Sequence, residues 1–133
     1  MDEKNERLSL LKELVKLADS DKNLKKAEYD FLSAIAIQLE ITPEDFVKVF
    51  DENISFQPPK LEGDRIVQFQ RLILLMNVDQ SVDEEQLRIV RELGIRMGLN
   101  PAATNKVLER MHDFDNGIIP PSELMAIFQA YHN

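Results

Sequence analysis

The chain has 133 residues, 44% of them apolar and 30% charged, with 24 Asp and Glu against 16 Lys and Arg for a net charge of −8. That length is enough to bury a self-sufficient core, and the balance is that of a globular protein rather than a disordered one. Having no cysteine excludes disulfides, thiolate zinc sites and a cysteine nucleophile. The acidic field, the lack of Trp and the 7% aromatic content speak against a nucleic-acid partner.

The opening stretch MDEKNERLSLL is charged and has no apolar h-region, so it reads as no signal peptide. The longest apolar run, Leu72 to Met76, is too short for a membrane span. A soluble, cytoplasmic chain is expected. From Leu8 onward the apolar spacing is helical: Leu8, Leu11, Val15 and Ala18 recur at three- and four-residue steps. The acidic break DSDKN follows, and Phe31, Leu32, Ile35, Ala36 and Leu39 make a second stripe. Thr42 as N-cap, Pro43 at the first helical position, and Glu44 and Asp45 at the positive end of the dipole predict a third helix ending near Phe50. The paired prolines in NISFQPPKLEG mark a linker, whose apolar Ile54, Phe56 and Leu61 are expected to fold back over the core.

The pattern then returns at an offset of 58 residues. Asp79 follows Asp21 at that interval, Leu72 follows Leu14, Val90 follows Leu32, Ile95 follows Ile37 and Pro101 follows Pro43. Asn100 and Pro101 repeat the cap-plus-proline start, and Ser81 with Glu84 fits a capping box. No stretch alternates with period two. The expected fold is all-α: about seven helices in two pseudo-symmetric helix-turn-helix repeats, packed as one domain over residues 1–133. Repeat 1 covers about 8–51, the linker about 52–62, repeat 2 about 63–111, and a last helix runs from about Ser122, over 122–131. Met76, Met97, Met111 and Met125 fall on apolar stripes and read as core fillers, or as the lining of a groove for a partner helix.

Two stretches invite a metal reading. A calcium loop counted from Asp19 puts Leu24 where glycine belongs and Lys26 where an apolar residue belongs, so the EF-hand pattern fails. A looser site from Asp19, Asp21 and Glu28 stays open, as does a plain turn. In that turn Lys22 or Lys25 compensates Asp19, and Asp21 accepts backbone N–H bonds. The second copy would use Asp79, Asp83 and Glu85, and the ion would be a divalent cation such as calcium or zinc. In HDFDNGIIPPSEL, Gly117 and Ile119 suit a calcium loop but His112 and Phe114 fall on ligand positions, so a turn into the last helix is the simpler reading.

Catalysis finds little footing. There is no nucleophile elbow, no phosphate-cradling glycine loop and no HExxH pair, and the only histidines are His112 and His132. Arg88, Arg91 and Arg96 crowd one helix, but Glu84, Glu85 and Glu92 are spaced to pair with them.

The motif Asp21, Leu24 and Glu28 in DKNLKKAE, preceded by LVKLA and followed by IAIQLEITPEDF, resembles the TerB-like family named for tellurite resistance. The second copy matches through Asp79 and Val82 in DQSVDEEQ, followed by LGIRMGLNPAA. Two features depart from the family pattern: Lys22 and Gln80 stand where it usually has glycine, and Gln86 replaces the closing glutamate. The resemblance implies an α-helical, non-catalytic, stress-associated protein that binds protein partners or serves as a scaffold. A divalent-cation-binding protein using the acidic turns is the alternative.

Overall fold

The computed structural model describes residues 2–20, 22–79 and 82–132. Among them lie seven α-helices and no strand, the all-α class the apolar spacing predicts. None of the helices is long and apolar enough to cross a membrane. The chain divides into two compact units, Met1–Pro59 and Lys60–Asn133, and the division falls inside the predicted linker.

The first unit holds α1 (Asp2–Ala18), α2 (Lys26–Gln38) and α3 (Pro43–Val49). Helix α1 begins six residues before the apolar stripe at Leu8 does. Glu3 in its first turn suits the helix dipole, and Lys4 reaches Asp45 of α3 at 3.2 Å. Leu11, Leu14 and Leu17 are fully buried, and α1 makes its closest approaches to α2 and α3. Lys12 is also buried, and its Nζ donates to the Val49 carbonyl at 2.7 Å and the Phe50 carbonyl at 3.3 Å, satisfying the open end of α3. The Thr42 hydroxyl accepts from the Asp45 N–H at 3.2 Å with Pro43 at the first helical position, as expected. The segment after α3 is tied down by the Gln57 N–H donating to the Ser9 hydroxyl at 3.0 Å. Ile54 and Phe56 are half-buried, but Leu61 is 69% exposed and does not fold back over a core.

The second unit holds α4 (Glu62–Met76), α5 (Glu84–Arg96), α6 (Pro101–Arg110) and α7 (Pro121–Ala130). Two 3-10 turns, Met111–Asp113 and Asp115–Gly117, join α6 to α7. Here α5 lies closest to α4 and α6, and α6 to α7. Asn100 Oδ1 accepts from the N–H groups of Ala102 and Ala103, the predicted cap of α6. Phe69 is fully buried and meets Phe128 of α7 edge to face at 6.3 Å. Met76, Met97 and Met111 are buried core fillers, whereas Met125 is 40% exposed beside the α4–α7 groove.

Element ends recur at the offset of 58. Helices α1 and α4 end at Ala18 and Met76, α2 and α5 span Lys26–Gln38 and Glu84–Arg96, and α3 and α6 start at Pro43 and Pro101. Both α2 and α5 close in a Schellman motif. In α2 the Ile41 N–H donates to the Ala36 carbonyl at 2.9 Å and the Glu40 N–H to the Ile37 carbonyl at 3.0 Å. In α5 Leu99 and Gly98 donate likewise to Gly94 and Ile95. The left-handed residue is Glu40 (φ 59°) in the first and Gly98 (φ 77°) in the second.

Candidate functional site

The sequence points to the acidic turns. Glu28 sits in the first turn of α2, 3% exposed, and its Oε1 accepts from the Lys25 N–H at 2.9 Å. This is the reach-back half of a capping box, which satisfies an N–H that the helix start leaves open. Gln86, 58 residues later, does the same for Asp83: its Oε1 accepts from the Asp83 N–H at 3.3 Å, and Asp83 Oδ1 accepts from the Gln86 N–H at 2.8 Å. The cap of α5 is therefore Asp83 with Gln86, not Ser81 with Glu84, and Ser81 lies outside the described residues. The spacing Asp-x-x-Gln carried that signal, since glutamine serves the box as well as glutamate.

The other candidate ligands scatter. Asp19 follows the end of α1, exposed, with no ion pair among the described residues; neither Lys22 nor Lys25 compensates it. Asp21 lies outside the described residues. Asp79 is half-buried after α4. Glu85 is exposed and holds Arg88 through both oxygens, at 3.0 and 2.6 Å, and Glu92 takes the other side of Arg88 at 2.8 Å. The hydrogen bond from Arg88 lowers the Glu85 carboxyl from its ordinary value. Glu85 and Glu92 thus pair with Arg88, part of the pairing their spacing predicts, and among the described residues Glu84 takes no part in it. Among the described residues, no group of three His, Asp or Glu is placed to hold a metal ion.

The stretch 112–117 packs as a turn. Gly117 (φ 70°) lies so near Asn77 that a Cβ there would meet the carboxamide at 2.5 Å. Asn77 Nδ2 donates to the Ile73 carbonyl at 2.8 Å and contacts Met111 Sδ at 3.5 Å. A pocket of about 390 Å³ opens between Asn77, Val82, His112 and Phe114, so the turn after α4 and the one before α7 border the same hollow.

Sequence spacing did not reveal the aromatic cluster of the first unit. Phe46 of α3 and Phe50 at its C-cap stand one helical turn apart and meet edge to face at 5.3 Å. Tyr29 of α2 completes the trio, edge-on to Phe46 at 5.5 Å and stacked on Phe50 at 6.0 Å. Phe46 is buried, Phe50 half-buried and Tyr29 43% exposed. Val47, three residues before Phe50 and so on the same flank of α3, is 63% exposed. The result is a ledge: a rigid aromatic floor with an apolar top open to solvent. The available signal was the aromatic pair at 46 and 50 beside an apolar residue that the core does not need.

Set against protein-family models, curated proteins and solved structures, the chain has no significant match in any of the three comparisons.

Proposed function

We propose that this chain is a non-enzymatic binding or scaffold protein of the TerB-like, stress-associated class, acting in the cytoplasm through contacts with other proteins. The observation that carries the reading is the ledge of Tyr29, Phe50 and Val47: the buried Phe46 ring holds Tyr29 and the half-buried Phe50, and Tyr29 and Val47 are exposed. Exposed aromatic and aliphatic groups on a rigid base are what a protein partner buries. The TerB-like assignment draws support from Lys22, whose φ of 61° is the left-handed conformation that favours the glycine usual in that family.

The alternative is a divalent cation held at the first acidic turn by Asp19, Asp21 and Glu28. In its favour, Asp19 is exposed without an ion-pair partner among the described residues; against it, Glu28 already accepts from the Lys25 N–H. The two readings separate in thermal unfolding of chelator-stripped protein against Ca²⁺, Mg²⁺, Zn²⁺ and Mn²⁺, with Asp21→Asn alongside. A ligand of the folded state adds about 2.7 kcal/mol at a hundred times its Kd. The binding reading expects flat midpoints with all four ions. A rise with one ion that disappears in Asp21→Asn would replace it with the cation-binding reading.

A further inference from the structure

We infer that the Tyr29–Phe50–Val47 ledge docks a basic amphipathic segment of a partner protein, with an apolar anchor on the ledge and flanking Lys or Arg side chains meeting carboxylates at its edge. The inference rests on the binding reading above and adds the chemistry of the partner. Geometry supplies the anchor site. Phe46 is 7% exposed and packs against both Tyr29 and Phe50, so the exposed Tyr29 ring loses little freedom when covered.

Charge supplies the sign. Glu44 stands three residues before Val47, and Asp51 and Glu52 follow Phe50 directly; all three are exposed, and none forms an ion pair among the described residues. Asp45 is already engaged by Lys4, which leaves Lys48 as the one basic residue in the segment 43–52. The first unit as a whole has 13 Asp and Glu against 8 Lys and Arg, a net −5 of the chain's −8. Carboxylates bordering an apolar surface attract a basic partner and repel an acidic one. The face of Tyr29 also favours a guanidinium or ammonium group.

The corresponding positions of the second unit carry no such surface. At the offset of 58, Leu87, Asn105 and Leu108 stand where Tyr29, Val47 and Phe50 do; Leu108 is buried and Asn105 is polar. The ledge therefore belongs to the first unit and is not a by-product of the repeated helix order.

The test uses the full chain and two synthetic helical peptides with the same leucine positions, one with lysine and one with glutamate on the polar face. Binding is followed by fluorescence anisotropy at low and at physiological salt. The Leu/Lys peptide is expected to bind and the Leu/Glu peptide not to. Val47→Ser should weaken binding about tenfold, as loss of an interface anchor does, while leaving the melting midpoint in place because the side chain is exposed. Asp51→Lys with Glu52→Lys should slow association and flatten its salt dependence. Equal affinity for the Leu/Glu peptide, or no response to the charge reversal, overturns the partner chemistry and leaves the binding reading standing. Binding indifferent to Val47→Ser and Tyr29→Ala places the surface elsewhere and overturns the inference. If neither peptide binds, the inference fails, and the metal titration decides the binding reading separately.

Discussion

In the first unit α2 and α3 meet through the rings of Tyr29, Phe46 and Phe50, whereas in the second α5 and α6 meet at Gly94 and Thr104. Helices α2 and α5 are both 13 residues long, yet α1 packs against both other helices of its unit, whereas in the second unit α5 and α6 each pack against two. Side-chain volume accounts for the difference. Gly94 has no Cβ, and one built there would stand 3.2 Å from both Phe69 Cε1 and Thr104 Cγ2, so α6 comes in close. At the matching positions the first unit has Ala36 and Phe46, and three rings whose centres lie 5 to 6 Å apart fill the gap between α2 and α3. The same helix order thus leaves an aromatic edge open in one unit and a closed helix contact in the other. Backbone order does not decide which surface is exposed; the size of a few side chains does.

The two units differ most at Lys12. Its ammonium ends α3 by donating to two carbonyls, while Gln70 at the matching position donates to the Ile119 carbonyl at 3.2 Å. Lys12→Met should cost about 2 kcal/mol, the scale of a buried charged hydrogen bond, and Gln70→Met about 1. Urea unfolding of the two variants tests that order, and equal losses would sink it.

The left-handed helix ends of the two units differ as well. Glu40 adopts at φ 59° what Gly98 adopts at 77°. Glu40→Gly should raise stability by about 1 kcal/mol, and Gly98→Ala should lower it by a similar amount, because a Cβ disfavours this region. No atom lies within 4 Å of the Cβ that Gly98 would gain, so strain alone sets that loss. Opposite shifts of the two melting midpoints are the expected result, and shifts of the same sign contradict it.

The smallest net effect belongs to Gly94. Gly94→Ala gains about 1 kcal/mol of helix propensity and loses somewhat more to overpacking against Phe69 and Thr104, a net loss of about 0.5 kcal/mol. In a Phe69→Leu background, which restores the leucine of position 11, the substitution should become stabilising. A double-mutant cycle reads that coupling, and additive effects would show that the rings and not the glycine set the helix spacing.

The fold was legible wherever it is local. The Thr42–Pro43 and Asn100–Pro101 starts, the break at DSDKN and the end of α3 near Phe50 all follow from capping and proline chemistry that acts within four residues. The boxes were half legible: Gln86 looked like a departure from a glutamate pattern and turned out to perform the same bond as Glu28. Sequence could not tell a capping carboxylate from a metal ligand, because both roles want an acid at a helix start. Only the direction of the side chain separates them, and Glu28 and Asp83 turn back onto their own helices.

By itself, then, the sequence determined the helix class, the helix order and most helix ends, because period and cap are written within single turns. Tertiary structure decided which apolar residues stay wet. Val47 and Val49 are the same residue two positions apart on one helix, and one is 63% exposed while the other is 1% exposed. Helical spacing puts Val49 on the face of Phe46 and Val47 off it, but spacing alone does not say which face is covered. What does is the neighbour each meets: the α1 side of the unit for Val49, whose carbonyl takes the Lys12 ammonium, and solvent for Val47. Burial is a property of packing, and packing is fixed by residues far apart in the chain.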